Sequence, residues 1–261
     1  MSHKSQDSSS FRALSRHDEY YIQGGDLFFL VEQVQFRVHR YFFERESSFF
    51  RGQLETPASP GASRQGTDST SAIVLEEVTP SNFARFLWVF YNPKYSIYRA
   101  PVDHWTVILS LAHRWKFPEV KKLAVRELET KTTEDFPDID RIVVYHDNSV
   151  DRNLLIPRYA ALCEREEPLT LPEGMRLGME TTLMIARARE YARSNITSSG
   201  ARSPSASNVH GGELQKIVRE LFGVTASSEE PEEPVVAATS GPAPTSPGGL
   251  VTLSYPASIH G

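Results

Sequence analysis

A nucleophilic triad needs a thiol or hydroxyl, an imidazole and an acid, and Cys163, His39 and several carboxylates supply those types. Cys163 stands beside Glu164, Glu166 and Glu167. Neighbouring carboxylates raise a thiol pKa where a nucleophile needs it lowered, so no catalytic residue is expected. The eight histidines, among them His17, His104, His113 and His146, could ligate zinc, but no pair stands at ligand spacing with a second pair downstream. Gly24-Gly25 is followed by neither Lys-Ser/Thr nor a helix, which makes it a turn and not a phosphate loop. No metal or cofactor is expected. What remains are candidates for binding. Asp26 and the His39-Arg40 pair could form a charged pocket that receives a partner. In the alternative, Asp26 caps local backbone and Arg40 pairs with an acid at a helix start. Leu214, Ile217, Leu221 and Phe222 could line one face of a short partner-binding helix. In its alternative, that helix docks back on the chain or never forms, since about nine residues are marginal alone.

These residues need elements to hold them. Leu27 to Val31 is a continuous apolar run that reads as a mostly buried strand. After Glu32-Gln33, Val34, Phe36 and Val38 alternate with polar residues, the period of a second strand. From Arg40 the period turns helical through Phe42, Phe43, Phe49 and Phe50. Residues 56–72, rich in Pro, Gly, Ser and Thr, read as a flexible insertion, and Ile73-Val74-Leu75 as a third strand. Thr79-Pro80-Ser81 opens a helix carrying Phe83, Phe86, Leu87 and Phe90, stopped at Asn92-Pro93. A helix after Pro101 carries Trp105, Ile108, Leu109, Ala112 and Trp115 on one face. Another starts at Pro118. A hairpin and a strand followed by helical stripes make an α+β block over residues 18–131, with a small sheet of about three strands. Residues 132–193 read as a helical extension that packs on that block, one of its helices running through Met179, Leu183 and Ala186. Residues 1–17 and most of 194–261 read as disordered, with a possible helix at 212–222.

Composition narrows the function classes. With 28 basic and 33 acidic residues and no long basic run, direct nucleic-acid binding is not expected. A single cysteine forms no internal disulfide and fits a reducing compartment. The polar start, MSHKSQDSSS, predicts no secretory signal, and no apolar run approaches the length of a membrane span. The expected location is intracellular, nucleus or cytoplasm.

The order of elements and several short motifs resemble the BTB/POZ domain. Asp26 precedes the first strand, Phe36-Arg37-Val38-His39-Arg40 is similar to the second strand running into a His-Arg pair, and Ser47-Ser48-Phe49-Phe50 resembles the Ser-x-x-Phe signature. Ile73-Val74-Leu75, Val78-Thr79-Pro80 with Phe83, Phe90-Tyr91, and Leu111 to Trp115 follow in the family's order. The extension is similar to tails of BTB proteins from mushroom-forming fungi. The resemblance implies a BTB/POZ fold and a non-enzymatic protein-interaction module that self-associates or docks a partner. It names a substrate adaptor for a cullin-type ubiquitin ligase, or a corepressor-recruiting regulator, as the alternatives. Many dimeric members begin with an extra helix and strand, where this chain offers only Phe11 to Ile22. Cullin-binding members often carry a hydrophobic-x-Glu element, and Asn92 to Ala100 contains no glutamate.

Overall fold

Period-2 alternation does form the hairpin. Strand β2 (Leu27–Val31) pairs antiparallel with β3 (Val34–Val38), Leu27 opposite Val38 and Val31 opposite Val34. Leu27, Phe29, Val31, Phe36 and Val38 are fully buried, whereas Phe28 and Leu30 are only half-buried, so even the continuous apolar run has an inner and an outer face. The computed structural model describes residues 14–55, 64–94, 97–196, 202–204 and 209–225.

The sheet has four strands, not three, in the order β1-β3-β2-β4. Strand β1 (Ser15–Tyr21) runs parallel to β3 and begins inside the segment expected to lack structure. It was hidden because it is an edge strand that buries only Tyr20, so its residues show no apolar alternation. Its register shifts between Arg16 and Tyr21, and there His17 Nδ1 accepts the Glu19 and Tyr20 amides at 3.2 and 3.1 Å. The His17 ring stacks on Phe36 at 4.6 Å, where burial lowers its pKa. Strand β4 (Ile73–Leu75) is the opposite edge, parallel to β2.

The insertion is also more structured than its composition implies. Residues 56–63 lie outside the described set, but Arg64 to Ala72 is a hydrogen-bonded loop. Asp68 Oδ1 accepts the Thr70 hydroxyl at 2.6 Å and the Thr70 and Ser71 amides at 2.8 and 2.9 Å, an Asx turn, and these bonds, the hydroxyl's first, hold its carboxyl down at about 2. Gly66 receives Phe28 N–H at 2.9 Å and gives its own to Ser71 at 2.7 Å, which fastens the loop to β2.

Helices α1 (Arg40–Glu46), α2 (Ser48–Glu55), α3 (Pro80–Tyr91), α4 (Val102–Arg114) and α5 (Pro118–Glu129) cover the sheet. Thr79 caps α3, its hydroxyl accepting Asn82 N–H at 3.2 Å, with Pro80 in the first turn. Trp115 is buried as expected but closes α4 as its C-cap instead of lying within it. Phe29, Phe43, Phe50, Phe83, Phe86, Trp115 and Phe117 form one aromatic centre, with ring centroids 4.9 to 6.0 Å apart, mostly edge to face.

Beyond α5 come α6 (Asp138–Asp147), a 3-10 turn (Arg152–Leu155), α7 (Ile156–Glu164), α8 (Leu171–Leu177), α9 (Met179–Arg193) and α10 (Gly211–Leu221), with short paired strands β5 (Ser194–Ile196) and β6 (Arg202–Pro204) before α10. Ile142, Tyr145, Leu155, Ile156, Cys163, Ile185 and Ala188 are buried in a core continuous with that of residues 15–131. The junction is polar. Arg141 is fully buried, with bonds to Glu129 Oε1 at 2.9 Å, Lys131 O at 2.9 Å and Leu128 O at 3.2 Å. Tyr145 donates to the same Glu129 oxygen at 2.6 Å, and Arg158 reaches Glu129 Oε2 at 3.3 Å. Burial pushes the Glu129 carboxyl up, but these donors outweigh it and hold it low.

In α9 the inward face is Ile185, Ala188, Arg189 and Ala192. Met179, Leu183 and Ala186, expected as anchors, are exposed. A buried arginine and small alanines occupy the inner face, so hydrophobicity pointed to the wrong side. Arg189 donates to the carbonyls of Leu162 (2.7 Å), Arg165 (2.6 Å) and Glu166 (3.0 Å), closing the C-terminal end of α7.

Candidate functional site

Asp26, His39 and Arg40 come together where the hairpin enters α1. His39 holds the N-cap position with extended backbone and makes no side-chain cap. Asp26 supplies the missing acceptor, its Oδ1 taking Arg40 N–H at 2.7 Å while its own amide donates to Val38 O at 3.0 Å. The His39 amide donates to the Tyr91 hydroxyl at 2.9 Å, and its Nδ1 lies 3.1 Å from the same oxygen. Arg40 Nη2 donates to Gln65 O at 3.1 Å, and its Nη1 is 3.6 Å from Glu44. All three residues make bonds within the domain. Their geometry joins hairpin, insertion loop and α3.

Chemistry at Cys163 is disfavoured for a reason spacing did not show. Burial, more than the neighbouring Glu164, raises the thiol to about 11 against the opposing pull of Arg189 and Arg193. Its Sγ is 3.8 Å from Ile185 O. His113 is also depressed, by burial and by Lys121 at 3.4 Å. Among the described residues no group of three His, Cys, Asp or Glu side chains could hold a metal ion. No described helix is long and apolar enough to cross a membrane.

The tail helix is present as α10 and is docked. Leu214 and Val218 have no exposure, Phe222 stacks on Tyr159 at 4.2 Å with rings 11° apart, and Ile217 and Leu221 are half-buried. Leu214 therefore faces this chain's own core and offers no free surface to a partner. The helix lies chiefly on α7 and α9.

A hairpin entering a helix through Asp26 and His39-Arg40, a three-residue strand returning parallel beside it, and a helical pair behind form the frame implied by the motifs. Comparison with known protein families matches residues 15–132 to the BTB/POZ domain. Residues 15–132 are a BTB/POZ domain. A search among curated proteins gives no match for the chain. The BTB motifs now have physical roles. The first serine of the Ser-x-x-Phe signature, Ser47, is fully buried; its hydroxyl donates to Trp115 O at 2.6 Å and accepts Phe50 N–H at 3.0 Å. It joins the α1–α2 corner to the end of α4. Tyr91, from the aromatic pair, is the hydroxyl on which His39 closes.

BTB domains are protein-interaction modules, so the exposed apolar residues are the ones to weigh. On the BTB domain, Phe49 (43% exposed) and Val74 (59%) flank a groove of about 300 Å³ along the open edge of β4, with Gln53, Glu76 and Arg114 as its polar members. On the extension, Leu171, Met175, Met179 and Leu183 are 59 to 78% exposed. The helical spacing of Met179 and Leu183 reads as core, whereas the buried Ile185, Ala188, Arg189 and Ala192 show that the opposite face of α9 is the inner one.

Proposed function

We propose that the chain is a non-enzymatic docking protein whose BTB domain holds a protein partner, a second copy of itself in the first instance. The BTB/POZ match over residues 15–132 carries this reading, because the known work of that domain is protein association. Two features of the domain support it. Its signature polar residues are consumed in bracing the fold, and its open β4 edge carries an apolar side chain, Val74, where edges that avoid pairing carry charge or proline. A cullin scaffold is the less favoured partner, since Asn92 to Ala100 offers no glutamate for a hydrophobic-x-Glu contact.

Light scattering on the full chain across a 100-fold concentration range tests self-association. A dimer at micromolar concentration, weakened by Val74→Lys, is the expected result. A concentration-independent monomer would remove the second copy as partner. A direct titration with a purified cullin N-terminal domain then decides the adaptor reading.

A further inference from the structure

Helix α10 occupies a groove that marks both ends of the helix it receives. At the N-terminal end, Glu164 Oε1 accepts the Gly211 amide at 3.0 Å, a carboxylate placed where the helix dipole and unpaired N–H groups favour negative charge. Farther along, Arg219 donates to Asn153 Oδ1. Leu214 and Val218 between these contacts and Phe222 just beyond them, spaced at i, i+4 and i+8, turn inward onto α7 and α9, with Phe222 flat on Tyr159. From these contacts we propose that the α7–α9 groove is a receiving site for an amphipathic helix of a partner protein, with α10 as its tethered, exchangeable occupant. The partner helix carries apolar residues at i, i+4 and i+8 and an arginine or lysine at i+5, the pattern that α10 itself presents.

Three observations make α10 exchangeable. It has 11 residues, a length at which an isolated helix is marginal in water. It buries only two side chains completely, and it is joined to α9 by the chain of residues 194–210 without being continuous with it. Elements with few buried apolar contacts open at a lower free energy than the core around them. Past the end of α10 a cavity of about 210 Å³ is lined by Tyr159, Leu177, Met179 and Met184 together with the polar His146, Arg152 and Glu180, so a longer helix that continues with both apolar and polar residues finds further surface to cover. Met179 and Met184 are unbranched and adaptable, as a site that accepts more than one occupant requires.

The groove lies outside residues 15–132, so its failure and that of the BTB reading are separable. The probe is a fluorescent peptide of residues 209–225, titrated into the full wild-type chain and into full-length Val218→Asp. A tether gives α10 an effective concentration on the order of millimolar. Val218→Asp is therefore expected to bind the peptide at about 10 µM, and wild type about 100-fold more weakly. A Val218→Asp chain with native circular dichroism elsewhere that ignores the peptide would overturn the proposal, as would equal affinity for both chains. Should that variant fail to fold, hydrogen exchange on the wild type decides. Amides of 215–221 are expected to exchange about 100-fold faster than those of 185–192, and faster still with excess peptide. Equal protection of the two segments refutes the idea. A concentration-dependent wild-type dimer abolished by Val218→Asp would assign the groove to a second copy's α10 and so refute the partner helix.

Discussion

Arg189 shows how one side chain can decide which face of a helix is inner. Its guanidinium makes no ion pair among the described residues and serves instead the carbonyl ends of α7. Arg189→Met keeps much of the volume but strands those acceptors, and is expected to cost about 2–3 kcal/mol in denaturant unfolding. Arg189→Lys should recover only part, because an ammonium lacks the planar fork. Near it, Cys163 makes a pH prediction. Burial holds the folded thiol at about 11, above its ordinary value near 9, so the folded chain keeps a proton that the unfolded chain has lost. The stabilisation is complete below about 9 and disappears as pH rises toward about 11. Melting temperatures of wild type and Cys163→Ala compared between pH 8 and 11 should show the steeper alkaline decline in wild type; parallel curves would contradict it.

Elements were legible in proportion to how much of their burial is apolar. The β2–β3 hairpin, β4, and the α3, α4 and α5 stripes follow from period and capping residues, and Thr79-Pro80 marks its helix start by chemistry alone. Thr79→Ala is expected to cost about 1 kcal/mol of thermal stability. Strand β1 escaped because its inward contacts are a tyrosine and a stacked histidine, not an alternating apolar row. The loop at 64–72 looked flexible because Ser, Thr and Gly are usual in mobile chain, yet in this order they build an Asx turn. Gly66 is its pivot. Its φ is +73°, and a Cβ there would lie 2.6 Å from a Leu27 methyl. Gly66→Ala should lower stability by about 1–3 kcal/mol, read from the unfolding midpoint, and loosen β4 in hydrogen exchange. Of the candidate site, Asp26, His39 and Arg40 were legible as a cluster; that His39 and Arg40 bond inward depends on Tyr91 and Gln65, distant in sequence.

At the scale of the whole molecule, the BTB domain and its extension share a core sealed by Glu129, Arg141 and Tyr145. A fragment ending at residue 131 keeps Glu129 but loses Arg141, Tyr145 and Arg158, and it uncovers Leu128. Such a fragment of residues 14–131 is expected to aggregate where 14–225 stays soluble; a cooperatively melting, soluble 14–131 on size exclusion would sink the idea. The pairing of β1 also has a meaning in time. Ser15 leaves the ribosome first, but its partner Val34 follows 19 residues later and runs in the same direction, so no local turn can join them. The hairpin must close before β1 has a ladder to join, and the opposite edge waits until Leu75 has been translated. Strand β1 is thus held in reserve, emerging from the ribosome unpaired and staying open to any cotranslational chaperone until the β2–β3 hairpin has closed beside it.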